Sequence, residues 1–240
     1  MVIASNSSRT MLQATPITLG TRPTTVDVDV EILPETSPSV AQRRLLMSTQ
    51  PGLFTHLLPL EEREALATPM HCIIPSNSEG DDHGAMYLGL AAAALDIVPF
   101  EEKRIHHLVQ VIEPPQPVPS ENPRDWPLEY FRIKIKDTPK AAKVLAERLL
   151  AVCDYIADAL GRGESVLVHC QQGVSRSASV VIAFLIRERA MSYEDALAFV
   201  RERRRCARPN WGFVRTSEEW EKICRLRQLD EQVQAGGIVG

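Results

Sequence analysis

The chain has 240 residues, 44% of them hydrophobic, and a formal net charge of -4 at neutral pH. This composition is typical of a globular protein with one or two domains, and the acidic balance gives no reason to expect a nucleic-acid partner. The longest apolar run, around residues 178–186, is too short to span a bilayer. We therefore expect a soluble protein of the cytoplasm or the nucleus, without a membrane span.

Aromatic residues indicate which part of the chain folds. Phe54 is the only Phe, Tyr or Trp before Tyr87, and the others all lie between Tyr87 and Trp220. Large aromatic side chains dominate core burial. We therefore predict a largely disordered N-terminal extension over residues 1–83, with a brief helix at 61–67, then a compact domain over 84–229 and a loose C-terminal tail over 230–240.

Within the predicted domain, strands and helices alternate in the pattern of a sheet covered by helices on both faces. We predict strands at residues 87–90, 105–112, 130–136 and 165–169. The strand at 130–136 alternates apolar with basic side chains, so we place it at an outer position. The sequence therefore predicts an α/β fold with a central, mostly parallel sheet.

Apolar spacing predicts four helices. They cover residues 145–160, residues 178–186, a stretch from a capping box of Ser192 and Asp195 to Arg201, and a last helix in which Trp220, Ile223 and Leu226 share one stripe. The basic run at residues 201–205 contains an acid and lies in a helical context, so we interpret it as a solvated helix end rather than a docking patch.

The five cysteines are scattered along the chain without a Cys-x-x-Cys pair. They are Cys72, Cys153, Cys170, Cys206 and Cys224. An odd number in this arrangement argues against a disulfide framework and against a zinc site. We expect reduced thiols, no metal and no cofactor, and one of the thiols is a candidate nucleophile.

Between the predicted strand 165–169 and the predicted helix 178–186 lies a short loop in which Cys170 and Arg176 stand six positions apart. A helix N-terminus, loop N–H groups and a nearby arginine all favour a cysteine thiolate. The same donors fit a phosphate group, because an arginine binds two of its oxygens and successive amides form an anion nest. The predicted phosphate-binding loop consists of Gln171, Gln172, Gly173, Val174, Ser175 and Arg176.

The segment 169–177 resembles the signature loop of protein tyrosine phosphatases, and its Ser-Arg-Ser ending resembles the dual-specificity branch of that superfamily. Residues 86–95 are similar to the opening strand of that branch, and residues 208–213 are similar to its Arg-Pro-Asn-x-Gly-Phe turn. The resemblance implies that Cys170 attacks phosphorus, Arg176 binds the phosphoryl oxygens and Ser177 stabilises the departing thiolate. It also implies that His169 braces the loop.

The same resemblance requires a general acid, and two aspartates compete for that role. Asp137 ends the third predicted strand, as in the dual-specificity pattern, and we predict that it is the acid. Asp125 stands beside Trp126-Pro127, but the order of the Trp-Pro-Asp loop of tyrosine-specific enzymes is not kept. The alternative role for Asp137 is to cap the helix that follows Pro139.

The resemblance implies a protein phosphatase that hydrolyses phosphotyrosine and phosphoserine or phosphothreonine through a phosphocysteine. We expect phosphorylated protein substrates, a monomer, and partner docking through the N-terminal extension. A phosphoinositide phosphatase is disfavoured because the loop interior lacks lysine, and an RNA triphosphatase because the loop does not end in Asn-Arg-Thr. A catalytically weak phosphoprotein-binding scaffold is the alternative from another class, and a sulfurtransferase is a third.

Overall fold

The computed structural model describes residues 57–76, 83–95, 98–114 and 127–236. The predictions for residues 1–56 and for Asp125 concern parts of the chain outside these ranges. The strands are β1 (Met70–Ile74), β2 (Met86–Leu90), β3 (Ile105–Val111), β4 (Glu129–Ile133) and β5 (Ser165–Cys170). The helices are α1 (Leu60–Ala67), α2 (Val98–Glu102), α3 (Ala142–Gly161), α4 (Arg176–Arg189), α5 (Tyr193–Arg203) and α6 (Trp211–Gly236).

The strands form one sheet in the order β1-β2-β5-β3-β4. All neighbours are parallel except β1, which runs antiparallel to β2. Every residue of β5 is buried, as expected for a central parallel strand that is covered on both faces. The strand β4 lies at one edge and alternates in burial. The predicted α/β fold with a mostly parallel sheet is confirmed, and so is the outer position of this strand.

Helices cover the two faces of the sheet unequally. Val166 and Val168 of β5 point into a large core shared with α3, α4, α5 and α6, whereas Leu167 between them belongs to a smaller core with Phe100 of α2. This alternation follows from the two-residue period of a strand. The helix α4 is buried over its first eleven residues. Among the helices in the described ranges, none is long and apolar enough to cross a bilayer.

The folded part of the chain begins earlier than the predicted boundary at residue 84. Helix α1 confirms the brief helix expected at 61–67, but β1 then adds a fifth strand to the sheet, and its Ile73 and Ile74 are buried. The aromatic criterion missed β1 because this strand fills the core with isoleucine instead of aromatic rings. The predicted start of the domain at residue 84 is therefore too late.

The last helix also differs from its prediction. Helix α6 continues to Gly236, so residues 230–236 are helical and not part of a loose tail. Trp220 is buried, but Ile223 is 44% exposed and Leu226 is 62% exposed. Steps of three residues rotate by 300° each and drift off one face of a helix with 3.6 residues per turn. The buried face instead follows Phe213, Ser217, Trp220 and Cys224.

Candidate active site

The predicted phosphate-binding loop joins the central strand to the most buried helix. Cys170 is the last residue of β5, and α4 begins at Arg176. The loop therefore lies at the carboxyl end of a parallel strand, where open α/β sheets bind their ligands. The N-terminus of α4 also presents unpaired amides and the positive end of its dipole to any anion at this point.

The thiol of Cys170 is buried and receives a hydrogen bond from Ser177, whose Oγ lies 3.1 Å from Cys170 Sγ. Burial by itself raises the pKa of a thiol. At Cys170 the hydrogen bonds from the Ser177 hydroxyl and amide, together with the charge of Arg176, outweigh burial and hold the pKa below its ordinary value. Cys153 lacks such donors, and burial raises the pKa of its thiol. This environment favours the thiolate form of Cys170 over that of Cys153.

Arg176 closes the loop opposite the cysteine. Arg176 is 8% exposed, and its Nη1 donates to the carbonyl of Ile135 at 3.3 Å. Nε lies 3.6 Å from Asp137 Oδ2, which is too far for a hydrogen bond. Nε has no hydrogen-bond acceptor among the described residues. Arg176 therefore keeps donor capacity for a phosphoryl oxygen.

Asp137 follows β4 and faces the loop. Its Oδ1 accepts hydrogen bonds from Ser175 Oγ at 2.7 Å and from Asn210 Nδ2 at 2.8 Å, and its side chain is 35% exposed. The turn that starts at Pro139 has Thr138 as its N-cap, without a side-chain cap bond. The capping role considered for Asp137 is therefore wrong. Its carboxylate is held at the loop and remains open to solvent.

Gly173 is required by both conformation and space. Its φ is +65°, in the left-handed region that favours glycine. A Cβ at this position would lie 2.5 Å from the carbonyl oxygen of Gly89 and 2.8 Å from Arg204 Nη2. The loop can thus curl tightly over the neighbouring strand only with glycine here.

His169 precedes Cys170 on β5 and is completely buried. Burial, and to a smaller extent the charge of Arg176, lower its pKa to about 4, although the nearby backbone of Cys170 acts in the opposite direction. The ring is therefore neutral at physiological pH. Within the part of the chain that the structure describes, no three His, Cys, Asp or Glu side chains are grouped as metal ligands are.

Two residues of the site were missed by the sequence analysis. Asn210 joins Asp137 to α6, because its Oδ1 also accepts the amides of Gly212 at 3.0 Å and Phe213 at 3.2 Å. The sequence analysis identified the Arg-Pro-Asn-x-Gly-Phe turn that contains Asn210, but the motif by itself gave no role for the asparagine. Arg204 is 0% exposed, so the interpretation of residues 201–205 as a solvated helix end is wrong at this position.

Comparison with known proteins agrees with this geometry. Residues 86–223 match the family model of the dual specificity phosphatase catalytic domain. The chain is 38% identical over 108 residues to a probable rhodanese domain-containing dual specificity protein phosphatase of Dictyostelium discoideum, over 42% of this chain and 22% of that protein. It is 34% identical over 137 residues to human dual specificity protein phosphatase 22, over 57% of this chain and 70% of that protein.

Solved structures are similar as well. Human DUSP28 aligns with a TM-score of 0.56 and 28% identity, over 66% of this chain and 96% of that one. A mouse putative dual specificity phosphatase complexed with zinc tungstate aligns with a TM-score of 0.57 and 28% identity, over 67% and 91% of the two chains. Because the family match takes in more than half of the sequence, the chain belongs to the dual specificity phosphatases, which are phosphoric monoester hydrolases of the protein tyrosine phosphatase superfamily.

Proposed function

We propose that this chain hydrolyses phosphotyrosine and phosphoserine or phosphothreonine in proteins through a phosphocysteine on Cys170. The observation that carries the proposal is the 3.1 Å hydrogen bond from Ser177 to Cys170 Sγ. The same loop contains Arg176, whose Nε lies 3.6 Å from Asp137 Oδ2. A thiolate, a guanidinium and a carboxyl group in one loop cluster are the three groups that two-step phosphoryl transfer needs.

In the first step, the Cys170 thiolate attacks phosphorus and the bond from phosphorus to the leaving oxygen breaks. Arg176 and the loop amides bind the nonbridging oxygens, where negative charge develops. Asp137 transfers its proton to the leaving oxygen, so the product is a neutral alcohol or phenol and the aspartate becomes a carboxylate. The covalent product is a phosphocysteine.

In the second step, water attacks the phosphocysteine while the Asp137 carboxylate accepts its proton. The bond between phosphorus and sulfur breaks, and the electron pair returns to Cys170 as a thiolate. The Ser177 hydroxyl stabilises that thiolate by its hydrogen bond. Inorganic phosphate leaves, and Asp137 is protonated again for the next cycle.

The substrate class rests on the chemistry of the loop. Gln171 and Gln172 are exposed and uncharged, so the loop offers no lysine to the additional phosphates of an inositol headgroup. The mouse phosphatase complexed with zinc tungstate supports the binding of a tetrahedral oxyanion by a related fold. The intact thiolate, guanidinium and carboxyl group count against a role as a binding scaffold without turnover.

The experiment is turnover of an aryl phosphate by the wild-type chain and by Cys170→Ser. We expect Cys170→Ser to lose nearly all activity, and a variant with substantial activity would disprove the mechanism. Asp137→Asn should slow the hydrolysis of an alkyl phosphate about a hundredfold and that of an activated aryl phosphate much less. The matched control is Asp154→Asn, an exposed aspartate that pairs with Arg187 away from the loop.

A substrate panel separates the alternatives. Phosphotyrosine, phosphoserine and phosphothreonine peptides should all be hydrolysed, whereas phosphoinositides and RNA 5′-triphosphates should be poor substrates. Hydrolysis of phosphoinositides in preference to every peptide would contradict the proposed class. A thiosulfate assay with a sulfur acceptor tests the sulfurtransferase, which should show no turnover.

We also infer that the enzyme works as a monomer in the cytoplasm or the nucleus and docks partners through its N-terminal extension. The five unpaired thiols support a reducing compartment, since a thiolate nucleophile must stay reduced. Light scattering of the full chain tests the monomer, and imaging of a tagged chain in cells tests the location. Phosphopeptide turnover with and without residues 1–56 tests the docking role.

A further inference from the structure

Arg204 is a fully buried arginine that connects three parts of the chain. It follows α5, and its guanidinium makes four hydrogen bonds. Nε donates to the carbonyl of Gly173 at 2.8 Å, and Nη2 donates to the carbonyl of Gln172 at 2.9 Å. Nη1 donates to the carbonyl of Thr68 at 3.2 Å and to His71 Nδ1 at 2.8 Å. The arginine therefore ties the phosphate-binding loop to the segment that leads into β1.

The two bonds to the loop fix the direction of its peptide groups. In a trans peptide the carbonyl and the next N–H point to opposite sides. When Arg204 holds the carbonyls of Gln172 and Gly173, the amides of Gly173 and Val174 are turned the other way. The Val174 carbonyl is held from the same side of the loop by the amide of Arg208 at 2.7 Å. Three successive amides thus face away from the α5–α6 connection, as an anion nest requires.

None of the four hydrogen-bond acceptors of the Arg204 guanidinium is a carboxylate. They are three carbonyl oxygens and a ring nitrogen. Donation to His71 Nδ1 requires a neutral imidazole, and burial together with Arg204 lowers the pKa of His71 accordingly. A buried cation costs several kcal/mol unless an anion offsets it. Burial lowers the pKa of the Arg204 guanidinium, and negative charge at Cys170 acts in the opposite direction and favours the charged form. The anionic phosphate-binding site therefore offsets part of the free-energy cost of burying the charge of Arg204.

We propose that Arg204 is a positioning residue for the phosphate-binding loop, which turns the loop amides toward the phosphoryl group and supplies a permanent positive charge behind them. The proposal rests on the proposed phosphatase function, because it assigns to Arg204 the task of binding the phosphoryl oxyanion through the loop. It extends the site from the residues that touch substrate to the α5–α6 connection and to the segment before β1.

The test is equilibrium binding of tungstate to the full chain, measured by calorimetry for wild type, Arg204→Met and Arg204→Lys. Arg204→Met should raise the dissociation constant about tenfold or more. It should also move the pH dependence of Cys170 alkylation to higher pH, whereas Arg203→Met should leave that pH dependence unchanged. Arg204→Lys keeps the charge but cannot bind both loop carbonyls in one planar fork, so it should weaken tungstate binding several-fold.

The matched control is Arg203→Met, because the neighbouring Arg203 lies 3.7 Å from the centre of the Phe199 ring and donates to the Phe199 carbonyl at 3.0 Å. It should bind tungstate within about twofold of wild type. A folded Arg204→Met chain with wild-type tungstate affinity would overturn the proposal, as would a folded Arg204→Lys chain with wild-type affinity. If neither variant folds, Arg204 supports the whole domain rather than the loop, and the proposal is also overturned. Tungstate binding needs no turnover, so a wild-type chain that binds tungstate but hydrolyses nothing would refute the proposed function alone.

Discussion

Ser175 donates a hydrogen bond to Asp137 Oδ1 at 2.7 Å, which joins the phosphate-binding loop to the proposed general acid. Asn210 adds a second donor to the same oxygen at 2.8 Å. The other carboxylate oxygen of Asp137, Oδ2, lies 3.6 Å from Arg176 Nε. The acid therefore has a fixed orientation relative to the loop before substrate binds, and this reduces the entropy cost of reaching the transition state.

Asn210 carries two roles that substitutions can separate. Asn210→Ala removes the cap of α6 and one donor to Asp137, so the free energy of unfolding should fall by about 1 kcal/mol. Hydrolysis of an alkyl phosphate should also slow several-fold. Asn210→Ser keeps a capping oxygen but is too short to reach the carboxylate. We expect wild-type stability in urea but the same loss of alkyl phosphate hydrolysis, and full activity of this variant would show that the bond to Asp137 has no catalytic effect.

Ser177→Ala removes the side-chain hydrogen bond to Cys170. Because that bond lowers the pKa of the thiol, the pH midpoint of Cys170 alkylation should rise, and kcat should fall about tenfold or more. Ser217→Ala is the control, since Ser217 is also buried on a helix and donates to the carbonyl of Phe213 at 3.0 Å. An alkylation midpoint that moves equally in both variants would indicate a general packing effect instead.

Gly173→Ala tests the backbone of the loop. A methyl group at a φ of +65°, only 2.5 Å from the Gly89 carbonyl oxygen, should cost about 1–3 kcal/mol of stability and distort the anion nest. Aryl phosphate turnover should nearly disappear. The control is Gly161→Ala near the end of α3, where a new Cβ meets nothing within 4 Å and should stabilise the helix slightly. Comparable turnover by the two variants would contradict the steric argument.

The sequence predicted the parts of this protein that depend on local pattern. A buried strand, a glycine-containing loop and a buried helix identify the site around Cys170, and the alternation of strand and helix predicts the parallel sheet. The alternating strand was correctly placed at an edge, because half-burial leaves a two-residue period that is visible in the chain.

The remaining features depend on contacts between distant segments. The pairing of β1 with β2 and the burial of Arg204 both require the segment before residue 84 to pack beside the loop, which no local pattern records. Asn210 lies 73 residues from the aspartate it holds. The prediction that Ile223 and Leu226 share a buried face with Trp220 was wrong for a different reason. Residues spaced three apart do not stay on one face of a helix with 3.6 residues per turn.

Stability should fall as the pH falls from about 6.5 toward 4. The pKa of His169 is about 4 in the folded protein and 6.5 ordinarily. Between these two values His169 is protonated in the unfolded chain but neutral in the folded chain, so acid favours unfolding. The loss should approach about 2 kcal/mol at about pH 5, measured by urea unfolding against about pH 7.5. His71 and His107, whose pKa values are also lowered by burial, act in the same direction. His169→Asn should show a shallower dependence, and an unchanged slope would exclude His169 as its source.

In the proposed mechanism, the phosphoryl group is carried by Cys170 between the two steps. The most direct measurement is mass spectrometry of acid-quenched protein during turnover of an aryl phosphate, with the peptide that contains Cys170 isolated. We expect one added phosphoryl group on that peptide in the wild-type chain, a larger fraction in Asp137→Asn, whose second step is slowed, and none in Cys170→Ala. Continued turnover with no phosphoryl group on Cys170 in any sample would contradict this mechanism.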